Sequence, residues 1–459
     1  MLPVFSTILE TIRGWSVATP EKEALVFLSS NGQTQRLTYA GLFQKIQKLA
    51  TTFRQLPLYS RIGLTARHGP KFLIESLAIM SAGHCLVPIN GQLPSLQRDE
   101  MAERAGIHAF RHAGKNILTM CPGKAIDLAS DEEFRAMGPA YLRFTSGSTG
   151  QRKGVLLSHR TIMERTAAAN ARLNITPADR VLCLLPMVDH FVVSVLLYLR
   201  YGATILLVEN EADAPFVAKK ENATVIYGAP NQYRRFTQPL PHIRLAVSST
   251  QGLSISIAND FLTSTGKPLT QALGIIEAGL LTLNEIHATS DPLLAGVPMP
   301  DYVITINKQG GRDGEILVQG PGLLDAYVSP WRSRASLLTE HGFPTGDHGW
   351  IDTAGCLHVV GREKNRIQLD GITIFCEEIE AIINQHPDVQ ESLVFQDQTE
   401  LVAQVVAPGS LQEPKALFQW ISDKLTFIQS PIHVDLVEAL PHTPTGKLAR
   451  PRMVRSTDR

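Results

Sequence analysis

Short apolar runs alternate with stretches of helical periodicity along the chain, and this alternation restricts the fold more than any other feature. Residues 62–65 and 86–89 are strand-like, and between them residues 71–82 have a helical pattern that ends before Gly83. Strands that alternate with helices predict α/β layers built around sheets. Further strand-like runs, separated by helical stretches, follow at 181–185, 204–208 and 225–227.

The pattern changes in the last third of the chain. Between about 290 and 362, short strand-like runs are separated by glycine and aspartate turns, which predicts a small β-rich subdomain. A polar stretch at 363–365 then precedes a mixture of strand-like and helical runs. We therefore expect an α/β protein with two domains. Residues 1–362 form layered α/β subdomains plus the small β-rich subdomain, and residues 363–459 form an α+β domain.

Charge and composition exclude several classes of protein. Lysine plus arginine equals aspartate plus glutamate at 43 each, and no basic-aromatic patch is present, so a nucleic-acid partner is not expected. The five cysteines form no C-x-x-C pair, which is typical of free thiols in a reducing compartment. Glu10 and Arg13 interrupt the N-terminal apolar stretch, and Asp189, His190 and Arg200 interrupt the most apolar region. We expect a cytoplasmic protein that has no membrane partner.

The most distinctive local feature is a loop of hydroxyl and glycine residues between two strand-like runs, 141–144 and 155–158. Glycines let backbone N–H groups converge and hydroxyls add donors, which suits phosphate oxygens, and Lys153 adds a positive charge. A Walker A loop would require glycine where Arg152 stands, and it would lead into a helix. The loop residues are Thr145, Ser146, Gly147, Ser148, Thr149 and Gly150.

Two further blocks carry charged side chains on turns and loops. Gly346 and Asp347 form a predicted turn that presents a carboxylate, a natural acceptor for the two hydroxyls of a ribose. Arg362 places a cation at the end of the next strand-like run. Near the end of the chain, two prolines and a glycine make a stiff, exposed loop that carries Lys447.

These three blocks, in this order, resemble the signatures of the AMP-forming adenylating enzymes, which include acyl- and aryl-CoA synthetases, peptide-synthetase adenylation domains and luciferases. Residues 37–42 and 82–90 resemble two other segments of that family, so the resemblance covers essentially the whole chain. It implies that the loop at 145–150 and Lys153 bind ATP phosphates. It also implies that Asp347 holds the ribose and that Arg362 contacts the nucleotide.

The resemblance further implies that residues 363–459 are a mobile lid. Lys364 would be the hinge, and Lys447 would reach the α-phosphate and the substrate carboxylate. A cation between these two mutually repelling groups lowers the barrier to their reaction. The candidate catalytic residues that the resemblance implies are Lys447, Glu277 and Thr145.

One block departs from the family pattern, which is aromatic-Gly-x-Thr-Glu on the adenine side. Here the sequence reads Leu273, Gly274, Ile275, Ile276 and Glu277. Glu277 is kept and would carry Mg²⁺, whereas Leu273 cannot stack on adenine as a ring does and Ile276 lacks the threonine hydroxyl. Each loss costs on the order of 1 kcal/mol, which weakens ATP binding without abolishing it. Gly274 remains in the predicted nucleotide site.

The predicted acid pocket combines two patterns of the family. His190 follows Pro186 as in the Pro-x-x-His of many acyl- and aryl-CoA synthetases, while Asp189 matches the Phe-Asp of amino-acid-activating domains. An aspartate would pair with a substrate ammonium, and a histidine would line an uncharged pocket. We favour an acid without an amine. Ser248 and Gly252, at the ends of a polar segment where the family has small residues, complete the predicted pocket.

The sequence thus predicts ATP-dependent activation of a small-molecule carboxylic acid to an acyl-adenylate. Transfer to a thiol follows, either that of coenzyme A or the phosphopantetheine of a carrier protein, with Mg²⁺ as the metal. Two alternatives stay open. One is a stand-alone amino-acid adenylation protein. The other is a nucleotide- or acyl-adenylate-binding homologue with weak catalysis, motivated by Leu273 and Ile276.

Overall fold

The fold is that of a computed structural model. It describes residues 6–66, 68–112, 118–121, 128–145, 153–287, 290–308, 313–369, 372–397, 400–411, 414–426, 428, 430–442 and 448–451. The predicted phosphate-loop residues 146–150 and Lys447 lie outside these ranges. Their assigned roles therefore stay predictions.

The strands are numbered in chain order. The first fourteen are β1 Glu23–Leu28, β2 Thr34–Thr38, β3 Arg61–Ala66, β4 Cys85–Asn90, β5 Ala109–His112, β6 Leu118–Met120, β7 Pro139–Phe144, β8 Gly154–Ser158, β9 Arg180–Cys183, β10 Thr204–Val208, β11 Val225–Gly228, β12 Leu245–Ser248, β13 Thr270–Ile275 and β14 Gly279–Glu285. The others are β15 Leu294–Pro298, β16 Val303–Asn307, β17 Gly314–Gln319, β18 Ala326–Val328, β19 Arg332–Ser333, β20 Phe343–Ile351, β21 Leu357–Arg362, β22 Arg366–Leu369, β23 Ile372–Phe375, β24 Glu391–Asp397, β25 Glu400–Val406 and β26 Ile432–Leu436.

The α-helices are numbered in the same way. They are α1 Ile8–Ala18, α2 Tyr39–Phe53, α3 Pro70–Ser81, α4 Ser95–Ala105, α5 Leu128–Ala136, α6 His159–Leu173, α7 Met187–His190, α8 Leu196–Arg200, α9 Ala214–Lys220, α10 Pro230–Tyr233, α11 Ile255–Thr265, α12 Arg334–Leu337, α13 Cys376–Ile383 and α14 Pro414–Lys424. A π-helix, Phe191–Val195, joins α7 to α8, and 3₁₀ turns occupy Glu211–Asp213, Glu363–Asn365 and Pro408–Leu411.

The larger sheet combines a parallel part with an antiparallel part. Strands β1, β10, β9, β11, β12 and β13 are hydrogen-bonded side by side in parallel. Strands β14, β15, β21, β20, β17 and β16 extend the sheet in antiparallel pairs. The antiparallel end corresponds to the β-rich unit that the glycine and aspartate turns predict. Parallel strands bury both faces, which explains why β10, Thr204–Val208, is buried throughout.

A second sheet has the order β19-β18-β8-β7-β4-β3-β5-β6. Its central strands β7, β4, β3 and β5 are parallel, and the hairpin of β7 and β8 flanks the predicted phosphate loop on both sides. One extended apolar core joins the two sheets through the helices between them. The α/β class and the layered architecture predicted from the sequence are confirmed.

The C-terminal part has its own sheets and its own core. Strands β22 and β23 form a hairpin, and β24, β25 and β26 form a separate three-stranded sheet against which α13 packs. Its main apolar cluster is drawn from residues between 367 and 436. The larger sheet includes β21, which ends at Arg362, and the 3₁₀ turn Glu363–Asn365 follows directly. These positions agree with the expected division after residue 362, which stays a prediction.

Among the residues that the structure describes, no helix combines the length and the apolar character that a membrane span requires. The apolar region between 181 and 208 instead forms β9, α7, the π-helix, α8 and β10 inside the core.

We expect the protein to lose stability as the pH falls below about 6.5, the ordinary pKa of histidine. Burial lowers the pKa of His68 to about 4, and the backbone N–H of Met187 donates to its Nδ1 at 3.3 Å. Burial also lowers the pKa values of His84 and His159. A histidine kept neutral by folding stabilises the protein above its unfolded pKa, and this contribution is lost as the pH falls.

The measurement is urea unfolding between pH 7.5 and 4.5. The free energy of unfolding should fall with pH, with His68 contributing on the order of 3 kcal/mol. His68→Asn keeps an acceptor for the Met187 N–H but cannot titrate, so it should reduce the slope. A slope unchanged in this variant would contradict the assignment to His68.

Candidate active site

One cavity of about 230 Å³ lies where the parallel strands of the larger sheet end. Tyr227 near the end of β11, Ser249 after β12 and Ile276 after β13 all line it. Ligands in open α/β sheets bind at this edge, outside the carboxyl ends of the strands. The cavity brings together these residues predicted from the sequence: Thr145, Asp189, His190, Gly252, Gly274, Glu277 and Arg362.

Glu277 follows β13, and two side chains fix its position. The Tyr327 hydroxyl donates to Glu277 Oε1 at 2.9 Å. The Arg165 guanidinium donates to the backbone carbonyl of Ile276 at 3.0 Å and to the carbonyl of Gly322. Arg165 is fully surrounded by protein, and burial lowers its pKa to about 10. Sequence reasoning missed Arg165, although an arginine on the buried face of α6 is an available signal.

Thr145 and Lys153 stand at the two ends of the predicted phosphate loop. The backbone N–H of Thr145 donates to the carbonyl of Lys153 at 2.9 Å, and the backbone N–H of Lys153 donates to Thr145 Oγ1 at 3.3 Å. The Lys153 ammonium lies 4.9 Å from the centroid of the Tyr327 ring. Burial and then the Glu277 carboxylate raise the pKa of Tyr327, so its hydroxyl remains a donor. Tyr327 therefore links the loop end to Glu277.

Asp347 and Arg362 face each other on the paired strands β20 and β21. Their side chains form an ion pair with Arg362 Nε 2.8 Å from Asp347 Oδ1, and Asp347 raises the pKa of Arg362. Gly346, with φ of +73°, turns the chain before Asp347, and Thr345 Oγ1 accepts from the Asp347 N–H at 3.1 Å. Arg362 lines the cavity. Asp347 does not line the cavity but is paired with Arg362. Ribose binding by Asp347 stays a prediction.

The predicted hinge follows at once. Gly361 has φ of +159°, and a Cβ there would lie 2.6 Å from Cβ of Phe375 on β23, so this close approach requires glycine. Lys364 lies in the 3₁₀ turn, where burial and then the neighbouring Arg362 lower its pKa. The segment fits the predicted hinge, but a pivot at Lys364 stays a prediction.

Asp189 and His190, the last two residues of α7, also line the cavity. The Tyr227 hydroxyl lies 3.2 Å from His190 Nδ1, and burial raises the pKa of Tyr227 to about 12. Asp189 Oδ1 is 3.0 Å from Nη2 of Arg143 on β7. The π-helix follows His190 directly, a local distortion that is frequent at functional sites. Apolar residues line the cavity as well, among them Val192, Val193, Tyr198, Val247, Ile275 and Leu280.

Ser248 and Leu273, like Lys153, Asp347 and Lys364, do not line the cavity. Ser248 is completely buried at the end of β12, and its place is taken by Ser249, Thr250 and Gln251. Leu273 packs against the apolar core and does not line the cavity, although Gln271, Ala272, Gly274 and Ile275 around it do. The assignments of Ser248 to the acid pocket and of Leu273 to the nucleotide site stay predictions.

The C-terminal domain contacts the rim of the cavity through a hydrogen-bonded group that sequence reasoning missed. Gln251 Nε2 donates to Glu391 Oε1 at 3.1 Å, and His442 Nε2 lies 2.9 Å from the same oxygen. The polar segment before Gly252, a departure from the family pattern, thus provides a contact with the C-terminal domain. His442 also pairs with Leu448 in an isolated β-bridge, so the described ends on both sides of Lys447 are held together.

No group of three or more histidine, cysteine, aspartate or glutamate side chains able to hold a metal ion exists within the described part of the chain. Glu277 lines the cavity and provides a carboxylate there. This is the donor set expected for Mg²⁺, which usually binds one or two protein carboxylates and takes its other ligands from phosphates and water. The residues present fit a metal that arrives with ATP.

A fold with two α/β sheets, a cavity at the strand ends and a small C-terminal domain defines the class of adenylate-forming enzymes. The family model of the AMP-binding enzyme matches residues 13–328, and that of the AMP-binding enzyme C-terminal domain matches residues 378–447. The chain belongs to the AMP-binding enzyme family. This membership, together with relatives that are CoA ligases and peptide synthetases, supports activation of a carboxylic acid followed by thioester formation.

The relatives extend over nearly the whole chain. Feruloyl-CoA synthase of Amycolatopsis is 26% identical over 457 residues, covering 90% of this chain and 92% of that protein. Phosphinothricin tripeptide synthetase PhsC of Streptomyces viridochromogenes is 27% identical and covers 91% of this chain, but only 42% of that protein is matched.

Solved structures show the same fold. O-succinylbenzoate CoA synthetase of Bacillus subtilis, in complex with its acyl-adenylate intermediate, superimposes with a TM-score of 0.79 at 20% identity over 96% of each chain. ATP-bound MatB of Rhodopseudomonas palustris superimposes with a TM-score of 0.78 at 21% identity over 97% of each chain.

Proposed function

We propose that this protein activates a carboxylic acid that lacks an amine, using ATP and Mg²⁺, and transfers the acyl group to the thiol of a pantetheine arm. One observation carries the proposal: a single cavity is lined both by Thr145, Glu277 and Arg362, which are predicted to bind the nucleotide, and by His190 and Tyr227. A nucleotide and an acid can therefore meet inside it.

The chemistry requires two displacements in the same cavity. In the first, an oxygen of the substrate carboxylate attacks the α-phosphorus of ATP, and pyrophosphate leaves. In the second, a thiolate attacks the acyl carbonyl, and AMP leaves. Both reactants of the first step are anions, so positioning and neutralisation of charge make up most of the catalysis.

The chain offers a residue for each part of this work. The Thr145 hydroxyl faces the cavity beside the phosphate loop, and Arg362 adds a cation on the nucleotide side. Glu277 would carry Mg²⁺. Its carboxylate accepts from the Tyr327 hydroxyl, and Arg165 donates to the backbone carbonyl of the preceding Ile276. When bound, Mg²⁺ would neutralise the phosphate charge and favour the departure of pyrophosphate. Lys447 would supply the further cation that the first displacement needs.

The acid pocket supports an aryl or alkyl acid. Its walls are largely apolar, and its hydrogen-bonding groups include His190, Tyr227 and Ser249. The relative feruloyl-CoA synthase is named for an aromatic acid. Coenzyme A is the first candidate acceptor, and a carrier protein is the second because of the peptide-synthetase relatives.

The test is acid-dependent exchange of pyrophosphate into ATP, measured over benzoates, cinnamates, fatty acids, dicarboxylic acids and amino acids. We expect exchange with at least one acid without an amine, and a thioester on addition of coenzyme A or a pantetheine-loaded carrier. A reaction without acid gives the background. Binding of AMP without exchange for any acid would instead favour the nucleotide-binding homologue.

A further inference from the structure

A half-buried ion pair lines the part of the cavity that is proposed to hold the acid. Arg143 comes from β7 and Asp189 from α7, and both line the cavity. Arg143 Nη2 lies 3.0 Å from Asp189 Oδ1, and Nη1 donates to the backbone carbonyl of Asp189. Only 18% of the Arg143 side chain and 9% of the Asp189 side chain are exposed. The guanidinium thus holds both the carboxylate and the backbone of the same residue.

The pair determines the charge that a substrate meets in this part of the cavity. Three other charged residues of the cavity have partners elsewhere: Arg165 donates to backbone carbonyls, Glu277 accepts from the Tyr327 hydroxyl, and Arg362 pairs with Asp347. A carboxylate such as Asp189 attracts an ammonium group strongly in a site with little water. Here the protein's own guanidinium already neutralises that carboxylate.

We propose that Arg143 is a specificity-determining residue that makes the acid pocket neutral. It discriminates against acids that carry an ammonium group, while Asp189 in turn discriminates against acids that carry a second carboxylate. The inference deepens the proposed function and rests on it, because it takes this part of the cavity as the acid site. The substrate class that follows is an acid with no charge other than its reacting carboxylate.

A pair of charge-removing variants tests this assignment. R143M leaves Asp189 without its guanidinium, so the pocket becomes negative and should accept an ammonium group. D189N leaves the Arg143 cation without its carboxylate, so the pocket becomes positive and should accept a second carboxylate. The double variant R143M/D189N is neutral again and should regain the original preference.

The probes are stable acyl-adenylate mimics, namely acyl-sulfamoyladenosines that carry hexanoyl, 6-aminohexanoyl or 5-carboxypentanoyl groups. A second matched pair carries phenylalanyl or 3-phenylpropanoyl groups, which differ only in the α-amine. Binding is measured by calorimetry and therefore does not depend on turnover. The nucleotide part is the same in all probes, so ratios of Kd report the acid pocket alone.

We expect the wild-type protein to bind the uncharged mimics about 100-fold more tightly than the charged ones, because each introduced charge would be buried without a partner. R143M should shift the ratio toward the amino mimics by at least about tenfold, and D189N should shift it toward the carboxy mimic by a similar factor. R143K keeps the cation but not the two-pronged contact, so its ratios should shift less than those of R143M. R160M removes an exposed arginine of α6 and should change no ratio.

Two results would overturn the inference. One is wild-type binding of an amino or carboxy mimic as tight as that of its uncharged match, a comparison that needs no variant. The other is unchanged ratios in R143M and D189N when both variants keep the wild-type affinity for AMP. Absence of pyrophosphate exchange would remove the proposed function but leave the ratios of Kd decisive. If none of the acyl-adenylate mimics bound better than AMP, both the inference on Arg143 and the proposed function would be refuted, because the cavity would not be an acid site.

Discussion

Replacing Lys447 with alanine should slow formation of the acyl-adenylate by about 100- to 1000-fold, the usual effect of removing one group that stabilises transition-state charge. Thioester formation from a preformed acyl-adenylate should change little. The reason is the order of the two steps. Charge accumulates between the α-phosphate and the carboxylate only in the first displacement, and in the second the mixed anhydride already exists.

The described residues around Lys447 support this expectation by fixing the ends of its loop. His442 pairs with Leu448, and the backbone N–H of Ala449 donates to the carbonyl of Pro441 at 2.8 Å. Arg450 then donates to both carboxylate oxygens of buried Glu380 on α13. Burial opposes the charge of Arg450, but Glu380 more than offsets this, so the pKa of Arg450 is raised. The described residues on the two sides of Lys447 are therefore tied to each other, and Arg450 ties them to α13.

The experiment compares pyrophosphate exchange with single-turnover transfer from synthetic acyl-adenylate to coenzyme A. Lys424→Ala is the matched control, because it removes an exposed lysine of the same domain at the end of α14. It should affect neither half-reaction. Equal losses in both half-reactions of Lys447→Ala would contradict the role proposed for this lysine.

Features whose residues are close in the sequence could be predicted well. The β7–β8 hairpin, the turn at Gly346 and the strand end at Arg362 each depend on residues within a few positions of one another. Local hydrophobic pattern and turn chemistry determine such features. Glu277 could be found for a different reason, since it stands at a fixed position in a short block that resembles the family.

Features that depend on distant partners could not be predicted. Arg143 and Asp189 are both visible in the sequence, but their pairing across 46 residues requires the fold. The same holds for the contact of Gln251 with Glu391. The place of Leu273 outside the cavity lining also depends on the fold, because β13 shifts its register against β14 between Leu273 and Gly274.

Replacing Glu277 with glutamine should reduce pyrophosphate exchange by about 100-fold and shift its Mg²⁺ dependence to higher concentration. The Tyr327 hydroxyl lies 2.9 Å from Oε1 of Glu277. Glutamine has nearly the same shape as glutamate, and its amide oxygen can still accept from this hydroxyl. It lacks the negative charge that a hard divalent cation requires. The loss therefore reports the carboxylate charge rather than the packing.

Two comparisons separate metal binding from positioning. Tyr327→Phe keeps the Glu277 charge but removes the hydroxyl that orients it, so exchange should fall by less than about tenfold and the Mg²⁺ dependence should stay near that of wild type. AMP bound without metal should have the same Kd in both variants and in wild type. If Glu277→Gln lost exchange while its Mg²⁺ dependence stayed unchanged, Glu277 would act on the nucleotide or the acid directly, and the metal would have to be held by phosphates and water alone.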